Sequence, residues 1–496
     1  MCLVKKGVHS NMNKIFKVVW SKTKECYVVV SEVAKNNGGK KKALASVLAG
    51  LAMVAATAGT PVQAEVGLGG SSVNITPDGT LNGSNRVTQN SIVVGYQNRT
   101  TGGSGNGHVI YGANNVANQD SSMALGNQNI ATGPAASAIG VGSQATGRNT
   151  IAVGNVAKAS NTDNIAIGTY SEALTSGQDA YALAVGSYSK ANAHMAVGIG
   201  AIAKATGSES TAVGAGSTAS GANSTALGAR NTASGLRSVA IGKDNNATAE
   251  DTIAMGKANT AAVGGAVAIG MDNVANSTLN GGRAEGNSMV AIGKANKATK
   301  EDTVAVGREN TASGNVSVAI GARTEATNSG SIAIAGNGDG YKTTSTGFGS
   351  IAIGMQSNST GTASTAVGGV AQATAKGASA LGYKANATAE SATALGQESV
   401  ASVKDGVALG SQSKATVDKG VKGFNPAETR TNKYSGLAST AQTSTLAAVS
   451  VGDGATATRQ ITGLAAGTND TDAVNVAQLR SVNLNTLVTL AMAMYC

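Results

Sequence analysis

Ser238-Val239-Ala240-Ile241-Gly242 closes one unit of a repeat that runs through most of the chain. The same closing slot returns at Gly256 and Gly270, fourteen residues apart. It can be followed through twenty-two marks, from Gly95 to Gly410, and seventeen of the twenty-one intervals are fourteen residues. A period this regular decides the architecture before any other signal is weighed. Within one unit, from Gly228 to Gly242, Val239 and Ile241 are two apart and share one face of a strand, with Ala240 on the other. A second glycine, Gly235, lies halfway, and Gly133, Gly147, Gly221, Gly314 and Gly361 fall at the same midpoint, as do Asn161 and Asn328. Both residue types tolerate positive φ at a turn. One unit therefore reads as two strands of about five residues joined by two tight turns. A helix does not fit, because the apolar residues cluster once per unit instead of recurring every three or four positions.

Such a coil is too thin to stand alone and gains stability by stacking in register on its neighbours as a parallel solenoid. The spacing predicts Val and Ile ladders inside, glycine at each corner, and a second face of Ala, Ser and Thr buried against sister chains. Twenty-two coils at about 4.8 Å each reach roughly 100 Å. Oligomerisation follows from the thinness alone. Four intervals are longer, between marks 95 and 112, 168 and 186, 270 and 293, and 335 and 354. Their extra residues, such as Asn276-Ser277-Thr278-Leu279-Asn280-Gly281-Gly282 and Gly336-Asn337-Gly338-Asp339-Gly340-Tyr341, map to loops.

Composition agrees. Aromatic residues are 3% and charged residues 13%, while glycine reaches 67, so the bulky side chains of an ordinary core are missing. Disorder is the competing reading, and the in-phase return of Val, Ile or Leu argues against it. The net charge of +10 sits mostly in residues 1–64, leaving the body close to balance and without a nucleic-acid footprint. Of Cys2, Cys26 and Cys496, only the last lies beyond residue 64, so no disulfide framework is available there.

Lys40-Lys41-Lys42, the apolar stretch from Ala43 to Gly59, and Thr60-Pro61-Val62-Gln63-Ala64 follow the order of a secretory signal. Cleavage is expected after Ala64. The alternative, a transmembrane helix, is disfavoured by a short stretch rich in Ala and Gly.

The catalytic chemistries leave no trace. There is neither a phosphate loop nor a His-Glu-x-x-His motif. His108 and His194 lie far apart, and Glu250-Asp251 and Glu301-Asp302 occupy turn positions better explained by exposure than by catalysis. No catalytic, cofactor-binding or metal-ligating residue is assigned, no cofactor is expected, and ligand-binding residues stay unknown.

The period stops near Thr416. Val417 to Ala448, with Phe424-Asn425-Pro426, is irregular. Val449-Ser450-Val451-Gly452-Asp453-Gly454 follows, then a segment ending Asp472-Ala473-Val474-Asn475-Val476-Ala477-Gln478-Leu479. Asp470 and Asp472 can cap a helix, and Val476 and Leu479 can open a coiled-coil seam. Together, the Ser-Val-Ala-Ile-Gly repeat, this junction and the long signal resemble the YadA-like trimeric autotransporter adhesins. The resemblance implies an all-β, left-handed, parallel β-roll head in a homotrimer, followed by a neck and a coiled-coil start. It divides the chain into an extended signal peptide (1–64), a lead-in (65–89), head repeats (90–416), a connector (417–448), a neck (449–479) and a stalk start (480–496). Met12 stands where such signals usually begin.

The resemblance implies an exported adhesin that attaches to host extracellular matrix, collagen included, or to cells, at the cell surface or outer membrane if the anchor exists and otherwise as a secreted or periplasmic fragment. Arg480 to Cys496 is too short to supply the family's stalk and C-terminal anchor, so the chain reads as truncated, by a fragment, a frameshift or an early stop. Two other readings stay open. One is a structural rod for self-association or biofilm; the other is a carbohydrate-active β-helix, which would need an acidic cleft. The collagen-associated form of the repeat has Asn before Ser, whereas Arg237 and Val316 stand there in the nearest copies.

Overall fold

In the computed structural model, the described residues are 16–21, 26–31, 73–75, 91–100, 107–277, 288–336, 338–423 and 443–495. The expected signal core and cleavage site, the lead-in apart from residues 73–75, most of the 270–293 insertion and Phe424-Asn425-Pro426 lie outside them. Phe16–Ser21 and Cys26–Ser31 form an antiparallel hairpin.

The repeats build a parallel β-roll of two sheets. In the unit quoted first, the long strand Val239–Lys243 pairs with Ile253–Lys257, aligning Val239 with Ile253, Ala240 with Ala254, Ile241 with Met255 and Gly242 with Gly256. The short strand Thr232–Ala233 aligns with Asn246–Ala247 in the other sheet. The fourteen-residue register is therefore also the hydrogen-bond register. It runs from Val73–Ile75, which pairs with Ile92–Tyr96, to Lys414–Ala415. The two strands are unequal. The expectation of about five residues each fails on the second face, where most strands keep two, because the flanking Asn231 and Gly235 turn into the core.

The inside is the reverse of the hydrophobic reading. Ala240, Ala254 and Ala268 are completely buried, as are Ala233, Ala247 and Ala261 from the facing sheet. Val239 and Ile241 are only half-buried and point outward, and Leu227 and Met255 in the Ile241 column are 43% and 38% exposed. The reason is width. Fourteen residues closing around two sheets leave a slit filled by opposed methyl groups, narrower than the roughly 10 Å between ordinary packed sheets. Alanine fills it in most coils, and Val93 and Ile110 take the same column near the N-terminal end. Strand alternation permits either face to be inward; the close approach of the two sheets favours alanine there.

Polar residues line the rest of the interior. Asn231, Asn245, Asn259, Asn273, Asn296 and Asn310 form a buried column. Asn259 Nδ2 donates to Asn245 Oδ1 at 2.9 Å, to Met255 O at 2.9 Å and to Gly270 O at 2.8 Å, while its backbone N–H donates to Asn245 Oδ1 at 3.1 Å. Each amide thus ties three successive coils together and satisfies backbone groups that the turns leave unpaired. Ser238 and Thr252, buried at the other edge, donate to Gly235 O and Ala249 O within their own turns.

The corner glycines have two different jobs. The closing glycine has a φ near +118° at Gly242, and a Cβ there would stand 2.0 Å from Gly256 O in the next coil. The midpoint glycine was expected to supply positive φ and does not: Gly235 lies outside that region, and its lack of a Cβ serves the close approach of Ala249 O. Positive φ falls instead two residues after each glycine, at Arg230 (52°) and Arg237 (54°), where the side chain projects into solvent.

The last coil is closed by the segment that follows. Val449–Ser450 adds to the long sheet beside Val407–Leu409, and Lys414 N–H donates to Gly452 O at 2.7 Å. Arg459 Nη1 donates to Ser413 Oγ at 3.0 Å and Val451 O at 2.5 Å, and Nη2 donates to Ser411 O. Its guanidinium carbon stands 2.8 Å from where a Cβ of Gly410 would be, the place that the next coil's carbonyl fills elsewhere. Arg459 thus replaces the missing coil. The helix Val476–Tyr495 comes next. Its cap is Asn475, not Asp470 or Asp472: Asn475 Oδ1 accepts from Gln478 N–H at 3.0 Å, and Gln478 Oε1 accepts from Asn475 N–H at 3.1 Å. Asp472 belongs to the preceding turn, accepting from Thr468 and Asn469 N–H at 2.9 Å.

Candidate functional site

With the core assigned to Ala, Asn and Ser, the surfaces free for function are the outward face of each sheet, the two rows of corners and the insertions. The long sheet carries the apolar one. Along it the half-buried Val239, Ile253, Val267, Val290, Val304 and Val318 form one column, and Ile241, Met255, Ile269, Ile292, Val306 and Ile320 form a second. A contiguous apolar strip of this extent is unusual on a solitary soluble chain and marks an interaction face. The opposite sheet presents Thr, Asn, Gln, Lys and Glu outward, with Lys190 and Glu172 paired at 2.8 Å.

The corners carry charge ladders. Arg230 Nε donates to Asp244 at 2.6 Å in the coil above, and Arg237 Nε donates to Asp251 at 2.6 Å while its Nη2 reaches Glu250 at 2.5 Å. These bonds hold the Asp244 and Asp251 carboxyls below the usual range and raise the arginines. Glu250 and Asp251, the first of the carboxylate pairs singled out in the sequence, are thus occupied by one arginine on an exposed turn. In the second pair, Asp302 accepts from Ser288 N–H at 3.3 Å and Glu301 receives Asn315 Nδ2 at 3.5 Å. Among the described residues no group of His, Cys, Asp and Glu is placed to hold a metal ion. His108 is buried in the roll with Nδ1 2.9 Å from Ser122 Oγ, whereas His194 is exposed in the turn of another coil.

One insertion is well anchored. Asp339, between marks 335 and 354, receives Arg323 Nη1 at 2.6 Å and Arg308 Nη2 at 3.3 Å, and Arg323 also holds Glu309 at 2.7 Å. The loop leaves the roll at Ala335, the mark without glycine, whose φ is not positive. At the C-terminal helix Val476, Leu479 and Val482 are about two-thirds exposed and spaced three apart. They form an apolar stripe along the helix.

Known families account for this layout. A model described as the YadA head domain repeat matches ten segments between residues 112 and 399. One for the extended signal peptide of the type V secretion system matches residues 12–59, and one for the coiled stalk of trimeric autotransporter adhesins matches 460–490. A search of the curated proteins finds no match. The signal model places the protein among exported proteins of the cell surface, and the order of signal, roll and stalk is that of a single family. The chain belongs to the YadA-like trimeric autotransporter adhesins.

Proposed function

We propose that three copies of this chain associate through the Val and Ile face of the long sheet, and that the resulting rod attaches its cell to host extracellular matrix or to other cells. The half-exposed apolar columns carry the reading. They continue over many coils on one face and contribute little to the core of a single chain, and Val476, Leu479 and Val482 open a second apolar stripe on the helix. Packing both against sister chains removes them from water in one step. Attachment then falls to the outer sheet, the corners and the insertions. Repetition of weak sites along three chains supplies avidity.

The test has two parts. Sedimentation of the exported chain should give a trimer, and Ile241→Asp combined with Met255→Asp should shift it toward folded monomer. Those side chains are outward, so an unfolded variant would contradict their placement. Binding is then measured to a panel of immobilised matrix proteins, collagen included, and to cells. Absence of binding across the panel, with aggregation of cells that display the protein, would favour the self-association rod.

A further inference from the structure

The two corner rows lie on opposite edges of the roll, one where the chain leaves the long sheet and one where it returns. Their slots have positive φ and elsewhere hold many Asn, Asp, Gln and Gly residues. Around one insertion this changes. On the first edge stand Tyr170 (φ 54°), Tyr188 (58°) and Ile202 (61°); on the second stand Tyr181 (46°) and Met195 (53°). All five are 43–54% exposed. Bulky and β-branched residues are disfavoured in this region of φ, and a cluster of them there calls for a function. None of the five lies in the core.

The two groups occupy the same height. Tyr170 and Tyr181 lie in the coil between marks 168 and 186, and Tyr188 and Met195 in the coil between 186 and 200. The register is fixed by Tyr188 N–H donating to Thr169 O and Met195 N–H to Ala180 O, both at 2.8 Å. Tyr170 and Tyr188 stack on each other, centroids 5.1 Å apart and planes 17° from parallel. The faces they share are therefore closed to a flat ligand. A foreign ligand lying along one edge would account for one group and leave the other unexplained. A closed ring of three accounts for both, because its interface is heterologous: one edge of each copy meets the opposite edge of the next, at equal height.

We infer that these residues form an apolar belt between subunits, with Tyr170, Tyr188 and Ile202 of one chain packed on Tyr181 and Met195 of the next. The inference rests on the trimer proposed above and adds which edges meet and where. Coils further along the roll supply the contrast. Their edges carry Arg230 and Asp244 on one side and Arg237 and Asp251 on the other, each engaged within its own chain.

The test uses the exported chain in a Cys496→Ser background. Tyr188→Cys and Met195→Cys are introduced singly and together, and mild oxidation is followed on non-reducing gels. Within one chain the two positions are separated by the breadth of the sheet, roughly 15 Å for a five-residue strand. A disulfide needs Cα atoms within about 7 Å, so only a neighbouring chain can complete it. The expected result is a covalent trimer from the double variant and none from either single variant. A trimer in sedimentation that stays uncrosslinked overturns the belt and leaves the trimer intact. Absence of any trimer in the parent chain overturns the trimer reading itself. A third arm measures capture of matrix proteins by Tyr188→Ala: loss of capture in an uncrosslinked trimer would make the belt a ligand face instead.

Discussion

Glycine at the closing corner is fixed by two separate demands, and each can be tested with one methyl group. Gly242→Ala must hold an L-residue at a φ near +118° and place its Cβ 2.0 Å from Gly256 O. The backbone cost alone is about 1–3 kcal/mol, and the clash adds to it. Chemical denaturation should show a drop of at least that size, and an unchanged midpoint would contradict the register described here. His108 gives a pH test. Burial lowers its pKa below the ordinary 6.5, opposed in part by Asp120. Its Nε2 has no partner among the described residues, so the neutral form suits the site. The unfolded chain then binds the proton more readily than the folded one. The contribution is complete above about pH 6.5 and is lost as pH falls below it. Hydrogen-exchange protection factors of the coil between residues 107 and 126 should fall on acidification in the parent and not in His108→Ser, which carries the residue found at the equivalent Ser122.

A coil holds together through columns, so substitutions should be judged against what other coils place in the same slot. The asparagine column runs unbroken from Asn231 to Asn310; between Asn129 and Asn231 the same slot holds Ser143, Ala157, Ser171, Ser189, Ala203 and Ser217, and Thr324 follows Asn310. Each Asn, and Ser143 and Ser217, donates to the carbonyl of the next closing glycine, whereas Thr324 donates back to Asn310 Oδ1 and Ala157 and Ala203 fill the slot without a donor. Asn259→Ala leaves Gly270 O and Asn273 N–H without their partners, at about 1–3 kcal/mol for each buried group. Asn259→Ser keeps one of these bonds and should cost clearly less in the same denaturation assay. Equal losses would show that volume, and not hydrogen bonding, sets the column. The exposed Arg–Asp ladders at the corners are a weaker restraint, and salt screens them.

Over the whole molecule, the vulnerable places of a solenoid are its ends, where a coil's unpaired backbone can template another chain. At the C-terminal end Arg459 occupies the position of the next coil and binds Val451 O, Ser411 O and Ser413 Oγ. Arg459→Ala should loosen residues 407–415 in hydrogen exchange while coils near residue 240 keep their protection, because each coil contacts chiefly its neighbours. Uniform loss along the roll would instead mean that the rod unfolds as one unit. The same one-dimensional logic explains why an apolar belt can sit at one height without disturbing the coils beyond it.

The sequence by itself determined the period, and with it the parallel register, the corner glycines and the rod. All of these follow from the spacing of Gly along one chain, and the ordered signal, repeat and junction carried the family. Spacing could not say which face of the strand is inside, because Val239, Ala240 and Ile241 alternate equally well either way. Nor could it say that the positive φ belongs to Arg230 and Arg237 and not to Gly235. Only the tertiary structure decided these points. The narrow space between the two sheets is filled by alanine in most coils, with Val93 and Ile110 in the same column near its N-terminal end, and its width is set by how fourteen residues close around two strands. Turning the Val and Ile columns outward moves them from the core to a surface that seeks partners. The edges where Tyr170, Tyr188 and Met195 meet solvent become legible only once the coils are stacked.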